Sequence, residues 1–152
     1  MRAEEAPYLH EFLLLAIHVP EGSDPPVPSL IDSEPNLRCY HENWGRASDV
    51  AVLAENASGD IVGASWVRQM NPDQPGYGYI NVSTRSLAIA VRPERRGQGI
   101  GTLLLDALLS EVEGIPVSLS VAEGNRAARL YARKGFEIIQ ENKGELIMLR
   151  RG

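Results

Sequence analysis

A single cysteine, Cys39, stands in a chain of 152 residues. With no partner for an internal bridge, it excludes the disulfide-stapled secreted scaffolds and makes a reducing, cytoplasmic setting the default. Long apolar runs are missing too. The longest, Phe12 to Ile17, has six residues, against roughly 20 for a membrane-spanning helix. The residues ahead of it include Glu4 and Glu5 and one basic side chain, Arg2, so the positive flank of a secretory signal is lacking as well. Positive charge is in short supply: 15 basic against 20 acidic residues leave −5, which excludes a general nucleic-acid binder, because phosphate affinity comes largely from clustered Lys and Arg. There is no internal repeat and no low-complexity tract.

What is present is an ordinary globular composition, 43% hydrophobic and 23% charged, with 14 Gly and 10 Pro. A chain of this length forms one domain and hides about 68 to 70% of the surface its unfolded form exposes, enough for a core without disulfides or structural metal. The charge is unevenly spread. Residues 1–83 hold 12 acids and 4 arginines, a net −8, and residues 84–152 hold 8 acids and 11 bases, a net +3. That asymmetry suits a cationic ligand on one half and an anionic one on the other, or plain surface chemistry.

Helical spacing of Tyr8, Leu9, Phe12, Leu13 and Ile17 after Pro7 predicts a first helix. Pro20, Pro25, Pro26, Pro28 and Pro35 then predict a loop with room for one short helical turn at most. Asp49 to Glu55 and Asp60 to Arg68 read as strands joined tightly through residues 56–59, and Asn71 to Gly78 as a second loop. Leu87 to Val91 is short and continuously apolar, a buried strand ending before Pro93. Gly97, Gly99 and Gly101 open a helix whose apolar face is expected on Ile100, Leu103, Leu104, Ala107 and Leu108, with Gly114 and Pro116 stopping it. Val117, Leu119 and Val121 alternate as a strand, Asn125 caps a short helix ending at Gly135, and Phe136 to Ile139 with Leu146 to Leu149 form a closing hairpin. The order predicts an α/β fold, a mixed α/β sandwich.

A strand running through a glycine-rich turn into a helix is suited to phosphate, since the first helical N–H groups have no internal partner and the dipole is positive there. Arg92, Arg95 and Arg96 add charge to the same turn. A dinucleotide fingerprint fails because the third glycine falls on Thr102, and a P-loop fails for want of a lysine. An ordinary turn is the remaining alternative on these residues alone.

The whole segment 87–136 is more specific. Arg96-Gly97-Gln98-Gly99-Ile100-Gly101 and, further on, Asn125, Ala128, Leu130, Tyr131, Gly135 and Phe136 occur in the order and at the separation that resemble the GNAT superfamily of N-acetyltransferases. The resemblance covers about fifty residues closely, with Gly63 and the closing hairpin fitting the same plan, and the family's usual first strand missing or very short. It implies a central mixed sheet of about six to seven strands flanked by helices. It also implies acetyl-CoA as donor, lying between splayed strands 87–91 and 117–121, with backbone groups near Ile89 and Val91 on the pantetheine arm. The pyrophosphate would sit on the turn from Arg96 to Thr102, Asn125 would bond to the cofactor arm, and Tyr131 would be the general acid. Outside that context Asn125 is a helix cap and Tyr131 a core residue.

The implied chemistry is direct attack of an amine on the thioester, with a backbone N–H near Ile89 steadying the oxyanion and a phenol protonating the thiolate. Many family members carry an acid near the start of the 87–91 strand. Here Thr84, Arg85 and Ser86 stand there, leaving Glu123 as a weak base candidate beside a water chain or an acceptor of low pKa. Loops 20–35 and 71–80, with Asp24, Asp32, Glu34, Asp73, Tyr77 and Tyr79, are the expected acceptor site and suggest a cationic amine. An acyl-CoA-binding sensor without turnover, a longer acyl donor, and a monomer or homodimer are all compatible. Cys39, His10, His18 and His41 read as structural and Trp44 and Trp66 as core or loop anchors, so no metal is expected.

Overall fold

The computed structural model describes residues 1–17, 19 and 22–152; His18, Pro20 and Glu21, and what the sequence suggested for them, lie outside the described residues. A 3-10 turn at Ala3–Glu5 leads into helix α1, Pro7–Ala16, with Pro7 in the first turn, where its missing N–H costs nothing. The proline-rich stretch is more regular than expected. It holds two short helices, α2 at Ser29–Ser33 and α3 at Pro35–Arg38. Pro28 and Pro35 sit at their starts, so the residues that would break a helix interior serve here as initiators.

Strand β1, Val50–Glu55, and β2, Ile61–Gln69, form the expected hairpin. Its turn is set by Asn56, whose Oδ1 accepts from the backbone N–H groups of Ser58 (3.0 Å) and Asp60 (2.9 Å). Then follow β3, Arg85–Val91, which starts two residues earlier than its apolar run, helix α4, Ile100–Glu111, strand β4, Val117–Ala122, helix α5, Ala127–Arg133, and the hairpin of β5, Glu137–Asn142, with β6, Glu145–Arg150. The six strands make one mixed sheet in the order β1-β2-β3-β4-β6-β5, with β3 and β4 its parallel pair. Among the described residues only helices precede β1, and no helix is long and apolar enough to cross a membrane.

Alternation along the strands sends side chains to two cores. One, containing Leu9, Phe12, Ile31, Tyr40, Ala64, Trp66, Ala88 and Ala90, lies under α1 to α3; the other, containing Val67, Leu87, Leu105, Leu108, Val117, Leu119, Tyr131 and Phe136, lies under α4 and α5. β2 is covered on both faces and buried from Ile61 to Arg68. α4 approaches it at Gly63, where a Cβ would come within 2.8 Å of Leu104 Cδ1 and 3.2 Å of the Ala90 carbonyl. Lys134 Nζ pairs with Asp106 at 2.8 Å, tying the end of α5 to α4.

The buried face of α4 is corrected by the structure. It is formed by Leu104, Leu105, Leu108 and Leu109, whereas Leu103 is 70% exposed and Ala107 faces solvent. Five leucines in seven positions fit two overlapping stripes, and the one chosen from spacing is rotated from the true one by about one residue, roughly 100°.

Candidate active site

β3 and β4 are in ladder register only at Arg85↔Val117 and Ser86↔Ser118. Beyond that point the strands part. The Arg85 N–H donates to the Pro116 carbonyl on the β4 side, and the Arg92 N–H to the Val62 carbonyl on the β2 side. Since N–H directions alternate along a strand, those of Ile89 and Val91 face the opened side, where no strand among the described residues takes them. The gap continues into a cleft of about 840 Å³, lined on the sheet side by Leu87, Ala88, Ile89, Leu119, Ser120 and Val121.

At the end of β3 lies the glycine turn. Gly97 and Gly99 have φ of +79° and +83°, the left-handed region, and nothing stands within 4 Å of where a Cβ would be on either. The turn therefore needs glycine for its backbone shape and exposes its N–H groups to solvent at the start of α4. Gln98 is exposed, Ile100, Gly101 and Thr102 are half-buried, and Gly101 packs beside Leu130 and Val91. Arg96 is exposed, with its Nε donating to the Val91 carbonyl at 3.3 Å, which holds the guanidinium beside the turn. Arg92 departs from expectation: its guanidinium pairs with Glu11 at 2.6 Å, donates to the Ile61 carbonyl and stacks over Phe12. It fastens α1 to the sheet and is spent as a charge on the turn.

Asn125 and Tyr131 both line the cleft. α5 begins at Ala127 rather than directly after Asn125, whose Oδ1 accepts from the Ala127 N–H at 3.0 Å. The cap bond uses the amide oxygen and leaves the NH2 group available. A second cavity of about 570 Å³ adjoins it, lined by Gly124, Asn125, Arg126, Ala128 and Arg129. Tyr131 is 8% exposed, packs edge-on against Phe136 with ring centroids 6.0 Å apart, and among the described residues its hydroxyl makes no hydrogen bond. Burial pushes its pKa up to about 12, so the phenol holds its proton throughout the neutral range.

The opposite wall comes from the helical face: Leu13, Ala16 and Ile17 at the end of α1, then Leu30, Glu34, Leu37 and Tyr40. Tyr40 is buried, accepts from the Tyr77 N–H at 3.1 Å, and has its pKa raised to about 12 by burial. It anchors the 71–84 loop, whose Gly76 lies so close that a Cβ would meet the Tyr40 ring at 2.9 Å. Gly78 lies equally close to the β4 backbone at Leu119, and the Ser118 hydroxyl donates to its carbonyl. Of the acceptor residues expected from sequence, Glu34 and Tyr77 reach the cleft. Asp24 and Asp73 are exposed and off its walls, Tyr79 packs against the α1 core, and Asp32 turns toward two histidines.

Glu123 does line the cleft, at its exposed rim. Sequence reasoning missed a second rim carboxylate, Glu145, which accepts from the Ser120 hydroxyl at 2.9 Å. Only the β4–β6 register, Ala122↔Glu145, brings it there, and no local pattern announces such a pairing. At the start of β3, Thr84 and Ser86 are buried, and among the described residues the Ser86 hydroxyl has no hydrogen-bond partner. The support of the helical wall was missed too. Arg68 and Asp49, 0% and 1% exposed, pair at 2.9 Å, while Arg68 also donates to the carbonyls of Cys39, Glu42 and Asn43 and lies over Trp44.

Known proteins resemble this chain in sequence and in fold. Residues 46–138, more than half of it, match the family model described as an acetyltransferase (GNAT) domain. An L-methionine sulfoximine/L-methionine sulfone acetyltransferase of Pseudomonas aeruginosa is 28% identical over 107 residues, covering 68% of this chain and 59% of that protein. The chain thus spans less than two thirds of the length of this curated relative. Among solved structures, a ribosomal-protein-alanine N-acetyltransferase from Brucella melitensis aligns with a TM-score of 0.67 at 22% identity, covering 100% of this chain and 97% of that one. The Corynebacterium glutamicum structure described as histone acetyltransferase HPA2 and related acetyltransferase gives 0.66 at 21%, covering 99% and 93%. At those identities the structural likeness bears on the fold alone.

Proposed function

The chain belongs to the GNAT family of acetyltransferases, and from that premise we propose that it moves an acetyl group from acetyl-CoA to a primary amine on a cationic small molecule or peptide, by direct attack. The observation that carries this reading is the gap between β3 and β4 with the Ile89 and Val91 N–H groups facing it. Those donors suit an extended amide-bearing arm taken up as an added strand. The open turn from Arg96 through Gly97, Gln98, Gly99, Ile100 and Gly101 to Thr102 suits a pyrophosphate, and the free NH2 of Asn125 suits a carbonyl of the same arm.

Three of the chain's own groups then divide the chemistry. The Ile89 N–H steadies the negative charge that grows on the thioester oxygen. Tyr131, kept protonated by burial, gives its proton to the departing sulfur. The incoming ammonium must shed a proton first. With Thr84, Arg85 and Ser86 in place of a carboxylate, Glu123 at the cleft rim, acting through water, takes that role, unless the acceptor has a low pKa of its own. Glu34, Glu123 and Glu145 around one cleft, together with the −8 of residues 1–83, favour a cationic acceptor. The protein acts in the cytoplasm, as a monomer or homodimer, where the lone Cys39 stays reduced.

The missing carboxylate at the start of β3 supports a second reading, a module that binds acyl-CoA without turning it over. Release of CoA from acetyl-CoA across an amine panel separates the two. The panel includes L-methionine sulfone and an alanine-terminated peptide, after the acceptors named for the relatives, and polyamines. Amine-dependent release is expected, with Tyr131→Phe lowering kcat by about 10²- to 10⁴-fold and leaving KM for acetyl-CoA nearly unchanged. Unchanged kcat in that variant removes Tyr131 from the mechanism, and binding without release on any amine favours the sensor.

A further inference from the structure

Three side chains far apart in sequence meet on the outer side of the helical wall. His10 from α1, Asp32 from α2 and His41 just after α3 place one ligand atom each within 4.8 Å of one another. His10 Nε2 lies 3.3 Å from Asp32 Oδ2 and His41 Nε2 lies 3.7 Å from Asp32 Oδ1. The two imidazoles stand almost perpendicular, 83° between planes, with centroids 5.0 Å apart. A tetrahedral zinc centre with bonds of about 2.0 to 2.1 Å has ligand-to-ligand edges of about 3.3 Å; the two nitrogen-to-carboxylate distances, each to a different oxygen of Asp32, lie near that value, and the whole set needs to draw in from within 4.8 Å to enclose an ion. His41 Nε2 supplies an independent sign. It is buried and, among the described residues, makes no hydrogen bond, although Asp32 Oδ1 lies 3.7 Å away. A polar atom hidden from water without a partner is costly, and a bound cation would satisfy it.

We propose that His10, Asp32 and His41 form a binding site for a divalent transition-metal ion of the zinc type, with a fourth position open to water. Two imidazoles and one carboxylate select such an ion over Mg²⁺ or Ca²⁺, which prefer all-oxygen shells. The Arg38 guanidinium beside the cluster donates to the Asp32 backbone carbonyl at 3.2 Å and has its charge offset by Glu42 at 3.3 Å. None of the three side chains lines the cleft, and the role of the site is positional. α1, α2 and the α3 region supply Leu13, Ala16, Leu30, Glu34, Leu37 and Tyr40 to the cleft. One ion bound to all three segments fastens that wall. The sequence hid this cluster because its members are 22 and 9 residues apart on short elements whose packing no periodicity dictates.

The test uses the full chain without an affinity tag, stripped with chelator and titrated with Co²⁺ and then Zn²⁺. One equivalent of Co²⁺ should bind with the visible absorption of a four-coordinate site, and Zn²⁺ should displace it. Zn²⁺ at about 100 times its Kd should raise Tm by roughly 5 to 10 °C. Asp32 is 64% exposed in its side chain, so Asp32→Asn keeps the fold, and it should weaken binding by more than about 100-fold, beyond the cost of losing an outer-shell partner. His41→Gln should do the same. Binding that survives Asp32→Asn, absorption lacking visible bands, or a thiolate charge-transfer band placing the ion on Cys39 would each overturn the proposal. None of these readouts depends on acetyl transfer, so the metal site and the proposed reaction stand or fall separately.

Discussion

Tyr131 and Tyr40 are buried phenols with pKa values pushed up to about 12, against about 10 when unfolded. A raised phenol pKa favours the folded state fully below pH 10 and progressively less as pH climbs from 10 toward 12, because the unfolded chain loses those protons first. Denaturant titrations should show stability falling across that window, with Tyr131→Phe flattening the fall; an equal fall in the variant would mean that Tyr131 does not titrate with unfolding. Arg68 is the other residue on which a sharp expectation rests. Arg68→Ala leaves Asp49 buried without a countercharge and three carbonyls without a donor, so a loss of about 3 to 5 kcal/mol is expected in urea unfolding. A change under about 1 kcal/mol would mean that the pair is solvated. The sequence did not rank the two alike. Tyr131 was legible through its motif, whereas an arginine near the end of an apolar strand looks like a solvent-facing terminus until Asp49 and the 39–43 carbonyls fold over it.

At the scale of elements, strand and turn signals were legible because they are local. Asn56 to Asp60 dictates the first hairpin, and the left-handed Gly97 and Gly99 dictate the turn into α4. Faces and pairings were less legible, since they depend on partners distant in sequence. α4 illustrates this: its leucines allow two stripes that share Leu104 and Leu108, and the burial of Leu105 and Leu109 in the core beneath the helix is what tells them apart. Leu104→Ala should therefore cost about 2 to 5 kcal/mol of stability, while Leu103→Ser should stay within about 0.5 kcal/mol, both by chemical denaturation. Equal costs would return the helix to the face expected from spacing. The two helices in the proline-rich stretch escaped notice for a related reason: proline at a helix start and proline in a loop look alike until the chain beyond it is seen to coil.

At the scale of the whole molecule, the sheet acts as a clamp whose central parallel pair is joined at one end and open at the other. Two stretches of sequence, the β3 edge with the glycine turn at its end and the segment from Asn125 to Tyr131, come to the same part of the molecule because β3 and β4 flank one cleft, which Ile89, Asn125 and Tyr131 line, and α4 and α5 cover the same face. Glu34 and Tyr77 reach the other wall of the cleft, which is why the half of the chain rich in acids and the half rich in bases both contribute to it. If that gap is the donor site, its unpaired amides are the atoms that must respond to the donor. The direct measurement is backbone amide hydrogen exchange at Ile89 and Val91, read by NMR with and without saturating acetyl-CoA. Exchange slowed at both amides, with Ala88 and Ala90 on the β2 side little changed, is the expected result; binding of acetyl-CoA with Ile89 and Val91 exchanging as before, or no binding at all, would contradict it.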